Sequence, residues 1–323
     1  MLNVRLQGNR IHVGERFALS FQRTLRIPDD GNQYPLPPGL GLLPVHPVAE
    51  YRRQAPDWWH DDEFFVPMYQ REAMWLGFDG ADWKPNAVKV GVGGIDAISG
   101  EAWRPGLTDS PQNYIVCPDQ PWLDGINTGR GLIRQFVAMP LGSGYTIEGQ
   151  LTGSERTGGI QLVVFEPKPG RFPERAAPGT RRPSAAAAVE ATVTPEAELG
   201  LAAGGRMEQE IYRDAYGIDT WDGSQAAAVS VHIVNSEQYQ AMTGRRAPRT
   251  PVSARAYTLH GFPWFSLYDE SRVDIEGSAR LATVRSTAEI DRATTGRTSP
   301  DDQPIAVTED QMRRLKGKPP FSR

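Results

Sequence analysis

Tyr114-Ile-Val-Cys117, Leu132-Ile-Arg-Gln-Phe-Val-Ala-Met139 and Ile160-Gln-Leu-Val-Val-Phe165 are three apolar runs that decide the fold class. Runs of this length with β-branched and aromatic residues suit strands covered on both faces. Between the last two lies Gly144-Tyr-Thr-Ile-Glu-Gly-Gln-Leu151, where Tyr145, Ile147 and, after a skip, Leu151 alternate with Thr146, Glu148 and Gln150. That alternation predicts a fourth strand with one wet face. The connectors, residues 140–144 and 152–159, are rich in Gly and Ser and short enough for hairpins.

The same grammar extends toward the N-terminus. Ile11 and Val13 flank His12, Phe17, Leu19 and Phe21 flank Ala18 and Ser20, and Leu25 and Ile27 flank Arg26. Two or three strands follow from this, with Arg23 and Arg26 on their polar side. Residues 28–47 interleave Pro and Gly with leucines, which predicts a loop fitted onto the body and forbids a helix or central strand. Residues 50–85 carry Trp58, Trp59, Trp75 and Trp83, and strands are expected at Phe64–Tyr69, Ala73–Phe78 and Ala87–Val92, the last paired with Ile95–Gly100. Many short strands separated by turn signals predict a mainly β chain, with a β-sandwich or jelly-roll-like core over residues 1–167.

Residues 168–200 break that pattern. Pro, Arg, Ala and Ser dominate, including the basic cluster Arg171, Arg175, Arg181 and Arg182, so a flexible linker is expected. Residues 201–293 predict a smaller α+β part, either a separate domain or a unit packed on the first. Its strands are expected at Met207–Tyr212 and Ala228–Val234, and its helices over 235–244, with Ser236 as cap, and 250–261. Phe262-Pro-Trp-Phe265 reads as an aromatic plug. Residues 294–323 read as a mobile tail with a short helix at Glu309–Leu315.

The charge balance bounds function. With 35 Lys and Arg against 39 Asp and Glu, the net charge is −4, which offers no general attraction to nucleic acid or anionic lipid. One cysteine allows no internal disulfide. The N-terminus lacks the apolar core of a signal peptide, and no apolar run reaches the ~20 residues of a membrane span, so a cytoplasmic protein is expected. No phosphate-binding GxxxxGK[ST] motif occurs, and Gly91-Val-Gly-Gly94 has no helix behind it, so no cofactor is expected.

Several segments together resemble a family of bacterial proteins with no assigned activity. They are Gly8–Phe17, Ser20–Asp30, Pro67–Ala73, Trp83–Lys89, Cys117–Gly125, Gly159–Pro169, Gly204–Met207 and Gly261–Phe265. The resemblance implies no substrate and no catalytic residues.

Candidate chemistry therefore comes from the residues themselves. Asp119 and Asp124 flank Trp122 in Cys117-Pro-Asp-Gln-Pro-Trp-Leu-Asp-Gly125, a loop stiffened by proline at a strand exit. Such carboxylates can serve acid–base chemistry or hold a polar ring such as a sugar; equally, they can cap turns around a core tryptophan. Arg71, Glu72 and Lys84 are candidates to join that ligand site or to pair with one another. Cys117 is either a thiol nucleophile or a small buried hydrophobe. His60, Asp61, Asp62 and Glu63 are candidate metal ligands, or a solvated acidic turn. Two functions follow: a non-catalytic binding or assembly module with a protein partner or self-association, or a jelly-roll-type enzyme acting on a polar small molecule or glycan through the carboxylate loop.

Overall fold

The apolar runs become strands because each has a neighbour on both edges and packing on both faces. The computed structural model describes residues 2–174, 198–250, 252–268 and 272–316. In chain order the strands are β1 (Val4–Gln7), β2 (Arg10–Val13), β3 (Phe17–Thr24), β4 (Gln33–Tyr34), β5 (Gly39–Leu42) and β6 (His46–Pro47). There follow β7 (Phe64–Pro67), β8 (Ala73–Asp79), β9 (Asn86–Val92), β10 (Ile95–Asp96), β11 (Ile115–Cys117) and β12 (Trp122–Leu123). Then come β13 (Gly125–Gly129), β14 (Leu132–Pro140), β15 (Ile160–Pro167), β16 (Glu198–Glu208) and β17 (Trp221–Val234). All belong to one large sheet, antiparallel except where β16 meets β4 and β17 meets β7. The chain is mainly β, as its runs predict.

Pairing runs β2, β3, β8, β14, β16 on one side and β17, β15, β9, β11 on the other. The two halves meet where Glu198 and Leu199 pair with Val234 and Ile233. Alternate residues sort between two apolar clusters. Phe17, Leu19, Phe21, Val88, Val90, Leu162, Val164, Leu201 and Val229 face the main core. On the opposite face, Ala87, Val163 and Phe165 meet Tyr114, Val116 and Trp221. Burial of both faces is why β9 and β15 read as continuous apolar runs rather than as an alternation. Lys89 interrupts β9 only because Asp96 pairs with it and the Trp103 ring covers it.

The residues after 197 do not stand apart from this sheet. β16 lies along β14 and β17 along β15, so the strands after the expected linker sit between strands that precede it. Of that linker, residues 175–197, with Arg175, Arg181 and Arg182, lie outside the described residues; Lys168 N–H bonds to the Thr220 carbonyl.

Several expectations are corrected. Gly144–Leu151 is not a strand: residues Ile147–Thr152 form helix α1, because the Thr146 hydroxyl accepts the Gly149 N–H and Gly153 closes the end at φ 74°. Glu148, expected on a wet face, is buried and accepts the N–H groups of Arg156, Thr157 and Gly158. Residues 28–47 contain β4, β5 and β6, with β5 paired on β3. The strand expected at Met207–Tyr212 ends at Glu208.

The helices α2 (Ser236–Thr243), α3 (Ala254–Leu259), α4 (Ala279–Ala282) and α5 (Thr287–Thr295) each start at a capping side chain, Asn235, Ser253, Ser278 or Ser286. Asn235, not Ser236, caps α2. Glu309–Leu315 is a single 3-10 turn followed by β19 (Met312–Lys316), which pairs in parallel with β18 (Trp264–Tyr268). Trp264 is the plug: it is fully buried and donates to the Thr258 hydroxyl at 3.2 Å. Among the described residues no helix is long and apolar enough to cross a membrane.

One glycine tests how tightly the C-terminal strands are fitted. A Cβ on Gly205 would lie 2.2 Å from the Pro28 carbonyl oxygen, a backbone atom that no rotamer change can move, whereas one on Gly223 meets nothing. Gly205→Ala is expected to cost ~3 kcal/mol or more in urea unfolding and Gly223→Ala less than ~0.5 kcal/mol. Equal costs would mean that β16 does not run against residue 28.

Candidate functional site

The site begins where β3 leaves the sheet. Leu25 and Ile27 are buried in the core and point the intervening Arg26 the other way. The Gln135 side chain fixes that segment from both sides, donating to the Leu25 carbonyl at 2.9 Å and accepting the Ile27 N–H at 3.1 Å. Arg26 is only 7% exposed, which corrects its expected place on a polar face; Arg23 is buried as well. The Arg26 Nη2 donates to Asp302 Oδ1 at 2.5 Å and to the Thr287 hydroxyl at 3.1 Å. The Arg26 Nε and Nη1 are buried with no hydrogen-bond partner among the described residues. Burial pushes its pKa down, while Asp302 pulls it up and nearby Arg71 adds to the lowering.

The turn before β8 supplies the facing wall. Tyr69 and Glu72 close it, with Glu72 Oε2 accepting the Tyr69 N–H at 2.8 Å and the Tyr69 carbonyl accepting the Glu72 N–H at 3.0 Å. Within the turn Arg71 holds φ 66°, the one positive φ among the described non-glycine residues. Such a conformation costs about 1–3 kcal/mol and clusters at functional sites. Arg71 grips Asp291 on α5 through two bonds, Nη1 to Oδ2 at 2.7 Å and Nη2 to Oδ1 at 2.8 Å. The Tyr145 hydroxyl donates to the same Oδ1 at 2.7 Å. Although burial opposes it, these bonds hold Asp291 below the usual carboxylate range.

Glu72 is wholly buried and accepts from Arg23 Nε at 2.7 Å. Desolvation raises its pKa against the pull of Arg23. The Tyr69 hydroxyl is buried without a partner among the described residues, and burial raises its pKa too. Between these groups opens a cleft of about 230 Å3, closed on the far side by Thr250, Ser253 and Asp301. Unused N–H and O–H groups therefore collect at one small cleft. Its chemistry is that of donors awaiting an acceptor.

Of the residues singled out from sequence, the structure brings Arg71 and Glu72 together here. Lys84 lies elsewhere, paired with Glu174 at 2.5 Å. Asp119 is held by Arg272 at 2.7 Å, while Asp124 is buried and accepts from Gln209 Nε2 at 2.6 Å, so the two carboxylates share no partner. Trp122 packs on Trp75 with ring centroids 6.2 Å apart, and the Cys117 thiol is fully buried. His60, Asp61 and Asp62 stand exposed in a turn, which Glu63 closes: its Oε2 accepts the His60 N–H at 2.8 Å and also meets His232 Nε2 at 2.8 Å. Among the described residues no three His, Cys, Asp or Glu side chains gather as a metal-binding set.

Arg26, Arg23 and Tyr69 were not singled out as site residues by the sequence. The available signal was Arg26 between two apolar residues, which marks a side chain facing away from the core but not one buried there. No family profile, curated protein or solved structure matches the chain, so the functional reading rests on geometry.

Asp124 yields a pH test. Burial lifts its carboxyl to about 7, against the lowering effect of Gln209 and Trp122. The folded state thus keeps a proton that the unfolded state loses near pH 4, and stability falls as pH rises from ~4 through ~7, by at most ~4 kcal/mol. Asp124→Asn keeps an acceptor for Gln209 and cannot ionise. It is expected to exceed the wild type in urea stability at pH 8 and to show a flatter profile below pH 7; a variant with an unchanged slope would show that Asp124 is not the titrating group.

Proposed function

We propose that the chain is a non-catalytic binding module whose cleft at Arg26, Tyr69 and Arg71 takes a small anion carrying a carboxylate or phosphate group. One observation carries the reading: Arg26 Nε and Nη1 and the Tyr69 hydroxyl are buried beside the cleft without partners. Leaving such groups unsatisfied costs about 1–3 kcal/mol each, and an oxyanion supplies the missing acceptors. The volume, 230 Å3, lies below the ~300 Å3 where sites for drug-sized ligands begin, which points to a small metabolite or a charged terminus. Each arginine already has a carboxylate partner, so recognition depends on directed hydrogen bonds more than on net positive charge.

The carboxylate-loop enzyme is less well supported. Asp124 is bonded inside the core and Asp119 is held by Arg272, an arrangement that favours binding over turnover.

Tyr69→Phe separates ligand binding from folding, because the hydroxyl it removes has no partner among the described residues. The variant is expected to melt at or above the wild-type temperature when no anion is present. In calorimetry with inorganic phosphate and with malonate at millimolar concentration, at least one anion should bind the wild type and bind Tyr69→Phe about tenfold more weakly. If neither anion binds, or if the variant binds equally well, the cleft holds only water and the reading fails.

Self-association is a second reading, favoured by Leu259 and Phe262, which stand 81% and 50% exposed at the end of α3 and just beyond it. Light scattering on the full chain should show a mass above 35.6 kDa that falls to the monomer in Leu259→Ser/Phe262→Ser. A monomeric wild type would remove this reading.

A further inference from the structure

Trp58 and Trp59 are neighbours with opposite fates. Trp59 is buried and lies flat on the His232 imidazole, 4.0 Å away and within 5° of parallel, while His232 is anchored by Glu63. Trp58 stands edge-on to both, at 87° to Trp59 and 83° to His232, and remains 51% exposed. A large ring is thus propped upright on a rigid base with a face left to solvent. Holding it that way removes the ordering cost that a mobile tryptophan would incur on binding.

That ring forms one wall of an open cleft of about 560 Å3, completed by Leu141, Glu155, Arg156, Glu198 and Gln238. The polar groups there are not equivalent. Glu155 is occupied, accepting from the Gly144 and Thr146 N–H groups and the Thr146 hydroxyl. The Arg156 guanidinium has neither an ion pair nor a hydrogen bond among the described residues, although its backbone N–H is fixed by Glu148. Gln238 Oε1 is buried without a donor among the described residues. Burial lifts the Glu198 carboxyl to about 7, against the lowering effect of the Trp59 indole N–H, so near neutral pH a protonated carboxyl can also donate there.

These groups ask for different things from a single ligand. Trp58 offers a flat, electron-rich face, which attracts the weakly positive C–H face of a ring. Gln238 Oε1 needs a donor, which a hydroxyl supplies. Arg156 presents a planar fork that matches a carboxylate. An unsubstituted aromatic ring would satisfy the first alone.

We propose that this cleft is a second site, separate from the Arg26 cleft, and binds a sugar acid of the hexuronate class. The pyranose ring stacks on Trp58, its carboxylate pairs with Arg156, and a hydroxyl donates to Gln238 Oε1. Nothing covalent is required of the site.

The test uses the full chain with D-glucuronate as probe and D-glucose as comparator, read by saturation-transfer NMR and titration. Glucuronate should receive saturation through its ring protons and bind about fivefold more tightly than glucose. Trp58→Ala, at an exposed position and checked for an unchanged melting curve, should weaken both sugars about tenfold. Arg156→Gln should bring glucuronate down to the glucose level and leave glucose unchanged. The proposal is overturned if the wild type does not bind glucuronate, if Trp58→Ala binds it equally well, or if Arg156→Gln weakens both sugars alike. Binding that survives Trp58→Ala and disappears in Tyr69→Phe would place the carboxylate in the Arg26 cleft and overturn this site while supporting the other.

Discussion

The bond from Arg26 to Asp302 joins residues 276 positions apart, and it ties the segment after α5 to the chain just beyond β3. A guanidinium at 7% exposure has lost most of its water, and the attraction of one carboxylate roughly balances that loss without a large surplus. Such a pair contributes little net stability. What it does contribute is uniqueness: with Asp302 misplaced, a charge would be left buried and alone, so the segment carrying Asp302 has one acceptable position. Asp29 adds a second tie, its carboxylate accepting the Ala288 N–H at the start of α5 and its carbonyl accepting from Arg292. The bidentate grip of Arg71 on Asp291 adds a third on the same helix.

That attachment is also what makes a cleft. Three arginines, Arg23, Arg26 and Arg71, converge from β3, the residue after next beyond it, and the turn before β8; their carboxylate partners come from the turn itself and from α5 and its successor. Five N–H groups on each guanidinium cannot all be matched by one carboxylate and one hydroxyl. In Arg26 the surplus falls on Nε and Nη1, and Arg26 lines the cleft. The geometry of the sheet edge and the stoichiometry of hydrogen bonding together leave donors over. The proposed anion-binding role follows from that remainder.

How much of this was legible follows from what a linear pattern can encode. Runs such as Leu162–Phe165 report burial of both faces directly, because every residue in them must be apolar when both faces are covered. The Tyr145 to Leu151 alternation failed because a stretch of this length fits a strand or a capped helix equally well, and Thr146 and Gly153 settle it through backbone bonds that the polar pattern does not record. The site divides in the same way. Arg71 and Glu72 could be noticed as charges beside a strand, but Arg26 looked like an outward residue, since polarity shows which way a side chain points and not whether another segment will cover it. The covering segment carries Asp302, and no local signal connects the two.

Asp124 and Arg26 show why clustering of ionisable residues was a poorer guide than their satisfaction. Both are buried polar side chains near the end of a strand. Asp124 accepts from Gln209, whose own carbonyl oxygen accepts the Asp124 N–H at 3.0 Å, a reciprocal pair that closes on itself and leaves nothing for a ligand. Burial can then simply raise its pKa, and a proton replaces the missing countercharge. Arginine has no such exit, because it stays protonated in any protein environment. A buried guanidinium with free N–H groups must find acceptors outside its own fold, in water or in a bound anion, so the unsatisfied donor carries information about a partner that the satisfied acid lacks.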